Sequence, residues 1–416
     1  MNASELRRHL DEAEAVDLLR RAIATPSITG TEAGFAGFLA DELKNLPASG
    51  IEQREFEAGR PNVWGVVRSE GGGKDLLLVG HTDTVHVDGW KERWAGTTRE
   101  DPFSGAIENG EIWGRGAGDL KAGICAAISA VKLLERAGIE LAGDVQLAFI
   151  GDEESGEPGM GVSAGMKEFA ALIEKGKLRR PDFAIYLEPT NLEVYSAQMG
   201  FFITEIEIKG RSAYFGFPEL GRDALRAGHA VLDHLWAHSD DLAGRAEHEL
   251  VGKSFLLVTE MNSGGYIAVP GECRLSLIRK LLPGEDLGSA AAELEKVVRS
   301  AVNDPEISVD IRFPAGRDNR FGGTPTEVDP RHPAITKLLQ AVNEAAEGRA
   351  GVSGAPYWSE APFLTNLDIP TIYFAPGDIR NCHTLEERVN LADYSSGIVA
   401  LAAFMADYCG VVPSKQ

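Results

Sequence analysis

The strongest constraint on the fold is a set of four short apolar runs, each followed by a residue able to ligate a metal. DLLLVG precedes His81 and Asp83, VQLAFIG precedes Glu153 and Glu154, FAIYL precedes Glu188, and TIYFAPG precedes His383 by a few residues. Runs this short and this continuously apolar suit parallel strands buried on both faces. In open α/β sheets, ligand sites form outside the carboxyl ends of such strands, so these side chains can converge from distant parts of the chain. A further carboxylate, Asp119, stands in GRGAGDLKAG just before a helical pattern. The pattern reads as a hydrolytic metal centre.

At 416 residues the chain exceeds one ordinary core and suggests two domains, and a hydrophobic fraction of 44% is ample to fill both. Residues 1–200 alternate amphipathic helices (6–24, 32–46, 120–137) with the apolar runs, the signature of an α/β layer fold. From 201 to 313 the order becomes strand, helix, strand, strand, helix, strand, carried by FFITEIEIKG, residues 223–238, SFLLVTEM, ECRLSLIRK, residues 286–302 and EISVDIRF. That βαββαβ order predicts a small ferredoxin-like sandwich inserted into the first domain. The first domain resumes over 314–416, with a helix at 333–347, a strand in IPTIYF and a closing helix at 394–408. Hinges are expected near 200 and 314.

The net charge of −22 argues against a nucleic-acid partner, because phosphate binding needs a basic face. No apolar stretch approaches the roughly 20 residues of a membrane span, so the expectation is a soluble chain. The cysteines Cys125, Cys273, Cys382 and Cys409 lack any CxxC spacing, which points away from a disulfide framework and towards reduced cytoplasm.

The phrases HTDTV, PFSGAIENGEIWGRGAGDLKAG, GDEESG, YLEPT and SEAPFLTNLDIPTIYFAPGDIRNCHTLEE occur in that order across nearly the whole chain. Together they resemble the motif series of the acetylornithine deacetylase, succinyl-diaminopimelate desuccinylase, aminoacylase and carboxypeptidase G family. The resemblance implies a zinc-peptidase-like α/β domain, a mostly parallel mixed sheet with helices on both faces, carrying an inserted lid or dimerisation domain. Singly, each motif has a plainer explanation: Asp119 before a helix could be an N-cap, and His383 an ordinary surface histidine. Their shared order is what the plainer explanations leave unaccounted for.

By the same resemblance, Asp119 bridges two divalent cations, His81 and Glu188 complete one shell, and Glu154 and His383 complete the other. Imidazole with carboxylate suits zinc and also accepts manganese or cobalt. Asp83 is expected to orient His81 by a hydrogen bond. Glu153 is expected to be the general base, taking a proton from a metal-bound water and returning it to the departing amine.

Departures from the family pattern begin in the insert. Tyr214 stands where the family usually has an oxyanion-binding histidine, and Ile267 where it often has asparagine. The family's arginine before the LPG turn is either shifted to Arg279 or replaced by Lys280. Tyr214, Phe215, Phe217, Tyr357 and Trp358 bring aromatics to the same places, either as packing or as a flat pocket for an aromatic substrate. Arg380 is a candidate to grip a substrate carboxylate, or a surface salt bridge. Three readings follow: an amide hydrolase of N-acyl amino acids or small peptide-like substrates; a hydrolytic deaminase of an aromatic amino acid-like substrate such as an aminobenzoate; or a non-catalytic metal-binding scaffold. The expected partners are a small molecule bearing a carboxylate and, through the insert, a second copy in a homodimer.

Overall fold

A computed structural model describes residues 2–154 and 161–413, so Ser155 and Gly156 of the GDEESG phrase lie outside the described residues. The chain divides into two compact units, one of residues 1–196, 328–354 and 363–416, the other of 197–327 and 355–362.

In the first unit the expected helix over 6–24 is two helices, Ala3–Arg7 and α1 (Glu12–Ile23). The break falls at Asp11, whose carboxylate accepts the N–H of Glu14 and starts α1 as its N-cap. Then follow α2 (Ala33–Lys44), β1 (Ala48–Glu57), β2 (Arg60–Val67), β3 (Leu76–His81), α3 (Ala122–Arg136), β4 (Val145–Ile150), α4 (Ala164–Glu174), β5 (Phe183–Tyr186) and β6 (Val194–Gln198). The hairpin β1–β2 lies outside what the apolar runs reveal, because β1 has no buried residue and alternates only between half-buried and exposed.

The second unit contains β7 (Gly200–Lys209), α5 (Ala224–Arg245), β8 (Phe255–Ser263), β9 (Glu272–Leu281), α6 (Leu287–Ser300) and β10 (Ser308–Arg312). Its sheet runs β8-β9-β7-β10, antiparallel throughout, which is the βαββαβ order folded as a split sandwich. Phe202, Ile206, Ile208, Val231, Leu235, Leu275, Leu277, Leu294 and Val298 form its core. The unit reaches beyond 201–313 because Gly322 and Gly323 extend the ladder of β7 at Phe202 and Phe201, and Trp358 packs edge-on against Phe201.

The first unit closes with α7 (Pro333–Ala345), β11 (Thr371–Tyr373) and α8 (Leu391–Tyr408). Its sheet runs β1-β2-β4-β3-β5-β11-β6. The four neighbours β4, β3, β5 and β11 are mutually parallel, whereas β1, β2 and β6 join antiparallel. Helices cover both faces. On β2, Trp64 packs with its ring 5.9 Å from that of Phe169 on α4, and the adjacent Gly65 faces Leu43 of α2, so alternation along the strand puts the two helices on opposite sides. The four parallel strands are the four apolar runs of the sequence, and their carboxyl ends lie along one edge. Among the described residues no helix is long and apolar enough to cross a membrane, and all four cysteines are unpaired and buried.

Candidate metal centre

Each candidate ligand hangs from the carboxyl end of a parallel strand or from the turn beside it. His81 is the last residue of β3; Glu153 and Glu154 follow β4, Glu188 follows β5, and His383 follows β11 in a left-handed backbone conformation (φ 58°). Asp119 lies in a wide turn, Ala117–Lys121, ahead of α3 and makes no N-cap to it. Its carboxylate points elsewhere: Oδ1 is 3.0 Å from His81 Nε2 and Oδ2 is 3.0 Å from His383 Nε2. His383 Nε2 also lies 2.8 Å from Glu154 Oε1, and Glu188 Oε1 is 3.9 Å from His81 Nε2. Three overlapping groups result, His81–Asp119–Glu188, Asp119–Glu154–His383 and His81–Glu153–Glu154, each with its ligand atoms within 4.8 Å of one another.

The electrostatics of this cluster suit cations. Burial disfavours charge on every member, yet hydrogen bonds to Asp119 and the nearby Glu188 and Glu153 hold the His81 pKa well above the ordinary histidine value. His383, half-exposed, is pushed up to about 11 against burial by Asp119 and Glu154. Burial also opposes the Asp119 carboxylate, but its two imidazole partners outweigh that and lower its pKa. Two imidazoles and four carboxylates, with one carboxylate presenting an oxygen to each imidazole, form a donor set that fits a pair of divalent ions.

Asp83 departs from expectation. The His81 imidazole is oriented by the backbone carbonyl of Asp83, 2.9 Å from Nδ1, while the Asp83 carboxylate stands 3.9 Å from that nitrogen. That carboxylate instead accepts the N–H groups of Glu153 (3.1 Å) and Glu154 (2.9 Å) and the hydroxyl of Thr29 (3.0 Å). Full burial pushes the Asp83 pKa up to about 7, with His81 opposing it and Glu154 and Glu32 adding to it. The backbone of the Glu153–Glu154 pair is therefore what Asp83 organises.

The candidate substrate residues are otherwise engaged. Arg279, 2% exposed, turns into the second unit and pairs with Glu285 at 2.7 Å, which engages its guanidinium inside that unit. Arg380 is exposed and held by Asp378, two residues away, at 2.6 Å, the surface salt bridge rather than the carboxylate clamp. Trp358 donates its indole N–H to the Thr324 carbonyl at 3.1 Å and lies over Gly323, where any Cβ would meet the ring at 2.3 Å. Tyr214 is 56% exposed, lies tilted against Phe215 with ring centroids 4.6 Å apart and pairs through its backbone with Ala268.

Several residues that set the geometry were not singled out from the sequence. Glu387, the last residue of the HTLEE phrase, is buried and accepts the N–H groups of Gly118 (3.1 Å) and Asp119 (3.0 Å) while pairing with buried Arg115. Lys121, also buried, donates to the carbonyls of Ala22 (3.0 Å) and Thr25 (2.7 Å), and burial brings its pKa down to about 7. The available signal for Glu387 was its place at the end of the phrase that carries His383; Lys121 sat two residues from Asp119 in GDLKAG with no signal of its own.

The peptidase family M20/M25/M40 matches residues 77–407. Acetylornithine deacetylase of Proteus mirabilis is 27% identical over 412 residues, covering 95% of this chain and 96% of that one. N-formyl-4-amino-5-aminomethyl-2-methylpyrimidine deformylase of Bacillus subtilis is 26% identical over 429 residues, covering 95% and 93%. Among solved structures, an M20 family metallo-carboxypeptidase from Sulfolobus solfataricus superposes with a TM-score of 0.73 at 18% identity, covering 95% of this chain and 99% of that one, a likeness of fold.

Proposed function

Since the chain belongs to the peptidase family M20/M25/M40, whose members are metal-dependent hydrolases acting on carbon–nitrogen bonds, we propose that it cleaves the amide of an N-acyl amino acid or small peptide-like substrate bearing a carboxylate. The observation that carries this reading is Asp119, with one oxygen 3.0 Å from each of two imidazoles and Glu153 in the adjoining group. His81, Asp119 and Glu188 would hold one ion, and Asp119, Glu154 and His383 the other; zinc, manganese and cobalt all suit these donors. When bound, the two ions supply Lewis-acid activation of the attacking water and of the carbonyl. Glu153 takes a proton from the attacking water, the oxygen adds to the carbonyl carbon, the C–N bond breaks, and Glu153 returns the proton to the leaving nitrogen. Asp83 keeps Glu153 in place through its backbone N–H.

A second reading, hydrolytic loss of ammonia from an aromatic amino acid-like substrate, draws support from the exposed Tyr214, Phe215, Phe217 and Ile267 in the second unit. One experiment separates the two. The chain, loaded in turn with zinc, manganese and cobalt, is incubated with N-acetyl and N-succinyl amino acids, short peptides and aminobenzoates, and primary amine and ammonia are measured separately. Released amino acid supports the amide reading. Ammonia from an aryl amine replaces it with the second, and no turnover with any ion leaves a metal-binding scaffold. We further place the chain in a homodimer paired through β8, an edge strand whose Phe255, Leu257 and Met261 are exposed.

A further inference from the structure

Glu153 and Glu154 follow β4 directly, and the residues described on either side, 151–154 and 161–165, are gripped by the side chains of Asn62, Asp152 and Asp83. Asn62 accepts the N–H of Gly151 at 3.0 Å and donates to the carbonyl of Gly165 at 2.8 Å. Gly165 allows this approach, because a Cβ there would sit 2.3 Å from the Gly151 carbonyl oxygen. Asp152 adopts a left-handed backbone (φ 74°), and its carboxylate accepts the N–H groups of Gly161, Val162 and Ala164, each at 3.1 Å. Asp83 takes the N–H groups of Glu153 and Glu154 from the other side.

Asp152 and Glu32 are 1% and 0% exposed, and two anions at that depth need a cation. Arg60 supplies it. Its guanidinium grips Glu32 with two bonds of 2.6 and 3.0 Å and reaches Asp152 at 2.8 Å. Glu32 also accepts the N–H of Gly30 at 3.0 Å, next to Thr29, whose hydroxyl donates to Asp83. One guanidinium thus links the grip on Gly161, Val162 and Ala164 to the grip on Glu153 and Glu154. Arg60 and Asn62 are two apart on β2 and emerge from one face, where β2 pairs with the end of β4 at Val63 and Phe149.

We propose that Arg60, with Asn62 beside it, is the positioning residue of the Glu153–Glu154 pair: it touches neither substrate nor ion but fixes where those carboxylates stand. This rests on the reading of Glu154 as a ligand and Glu153 as the proton carrier. A lysine cannot reproduce this grip, since an ammonium is a point charge without the planar fork that meets both oxygens of Glu32 and also reaches Asp152.

The test uses the full chain carrying Arg60→Lys or Asp152→Asn, with amide hydrogen exchange and zinc titration calorimetry as readouts. Protection of the Glu153, Glu154, Gly161, Val162 and Ala164 amides falls while that of β3 and β5 stays. The Glu154-dependent zinc equivalent weakens about 10–100-fold, and the His81–Glu188 equivalent keeps its affinity. Guanidinium ion restores both readouts in Arg60→Ala. Wild-type protection and two wild-type zinc equivalents in both variants overturn the proposal. So does a loss of protection spread evenly over the chain, which is a plain stability effect. Should Arg60→Lys not fold, Asp152→Asn, which keeps an acceptor oxygen, carries the same test. Failure of the underlying reading looks different. A turning-over Glu153→Gln sinks the proton carrier and leaves Arg60 standing, and a wild-type chain that takes up no zinc leaves amide exchange to decide.

Discussion

Glu387→Gln tests how the bridging carboxylate is held. In the wild type one oxygen of Glu387 fixes the turn at Gly118 and Asp119, and the other neutralises Arg115; the two partners are 1% and 3% exposed. The amide keeps an acceptor for the turn but removes the charge and sets an NH2 group against the guanidinium. Removing one partner of a buried ion pair costs about 3–5 kcal/mol, because the survivor stays buried and uncompensated. Arg115 retains the carbonyls of His86 (3.1 Å) and Thr384 (3.2 Å), which places the loss near the lower bound, about 3 kcal/mol. For a unit of this size roughly 2 °C accompanies each kcal/mol, so the melting temperature falls by about 6 °C. Arg115→Met/Glu387→Gln, with neither charge of the pair left, recovers most of that loss, giving a large coupling in a double-mutant cycle. Urea unfolding and calorimetry at neutral pH, with chelator present throughout, measure it. A single variant within about 1 kcal/mol of wild type, or a double variant whose losses simply add, would refute the argument that this carboxylate neutralises a buried charge.

Glu153→Gln is expected to retain its metal and to lose turnover by about 10²–10⁴-fold; undiminished turnover removes Glu153 as the proton carrier. In the chelator-treated chain the folded pKa values of His81 and His383 are raised, the latter to about 11, so the pairing of His383 with Asp119 and Glu154 is lost only as pH rises through that value. Filling the site therefore releases protons at neutral pH and binding tightens as pH rises; titration calorimetry whose heats do not depend on buffer ionisation would contradict this. Arg279→Met is expected to lower thermal stability while leaving KM unchanged, because the guanidinium serves Glu285 inside the second unit; a raised KM with unaltered melting restores it as a substrate residue. Leu257→Glu on the exposed edge of β8 is expected to give a monomer by light scattering, and a persisting dimer relocates the interface.

The four parallel strands and their payloads were legible in the sequence because a doubly buried strand must be apolar along its whole length, and a ligand site must follow its carboxyl end. The βαββαβ insert was legible for a similar local reason: period-two and period-3.6 patterns succeed one another between turns. The direction of Arg279 had a local signal as well. Arg279 falls in the same alternation phase of β9 as Cys273, Leu275, Leu277 and Leu281, all inward, whereas Lys280 falls in the outward phase. Contacts between elements far apart in the chain had no such signal. That Asp119 spans two imidazoles rather than capping α3, that the Asp83 carboxylate serves the Glu153–Glu154 backbone rather than His81, and that Arg60 reaches Glu32 and Asp152 were decided by tertiary packing. Side-chain direction in irregular turns follows from which donors packing leaves nearby, and no periodicity encodes that. The residue types and their strand ends were set by the sequence, and the hydrogen bonds that aim them were set by the folded chain.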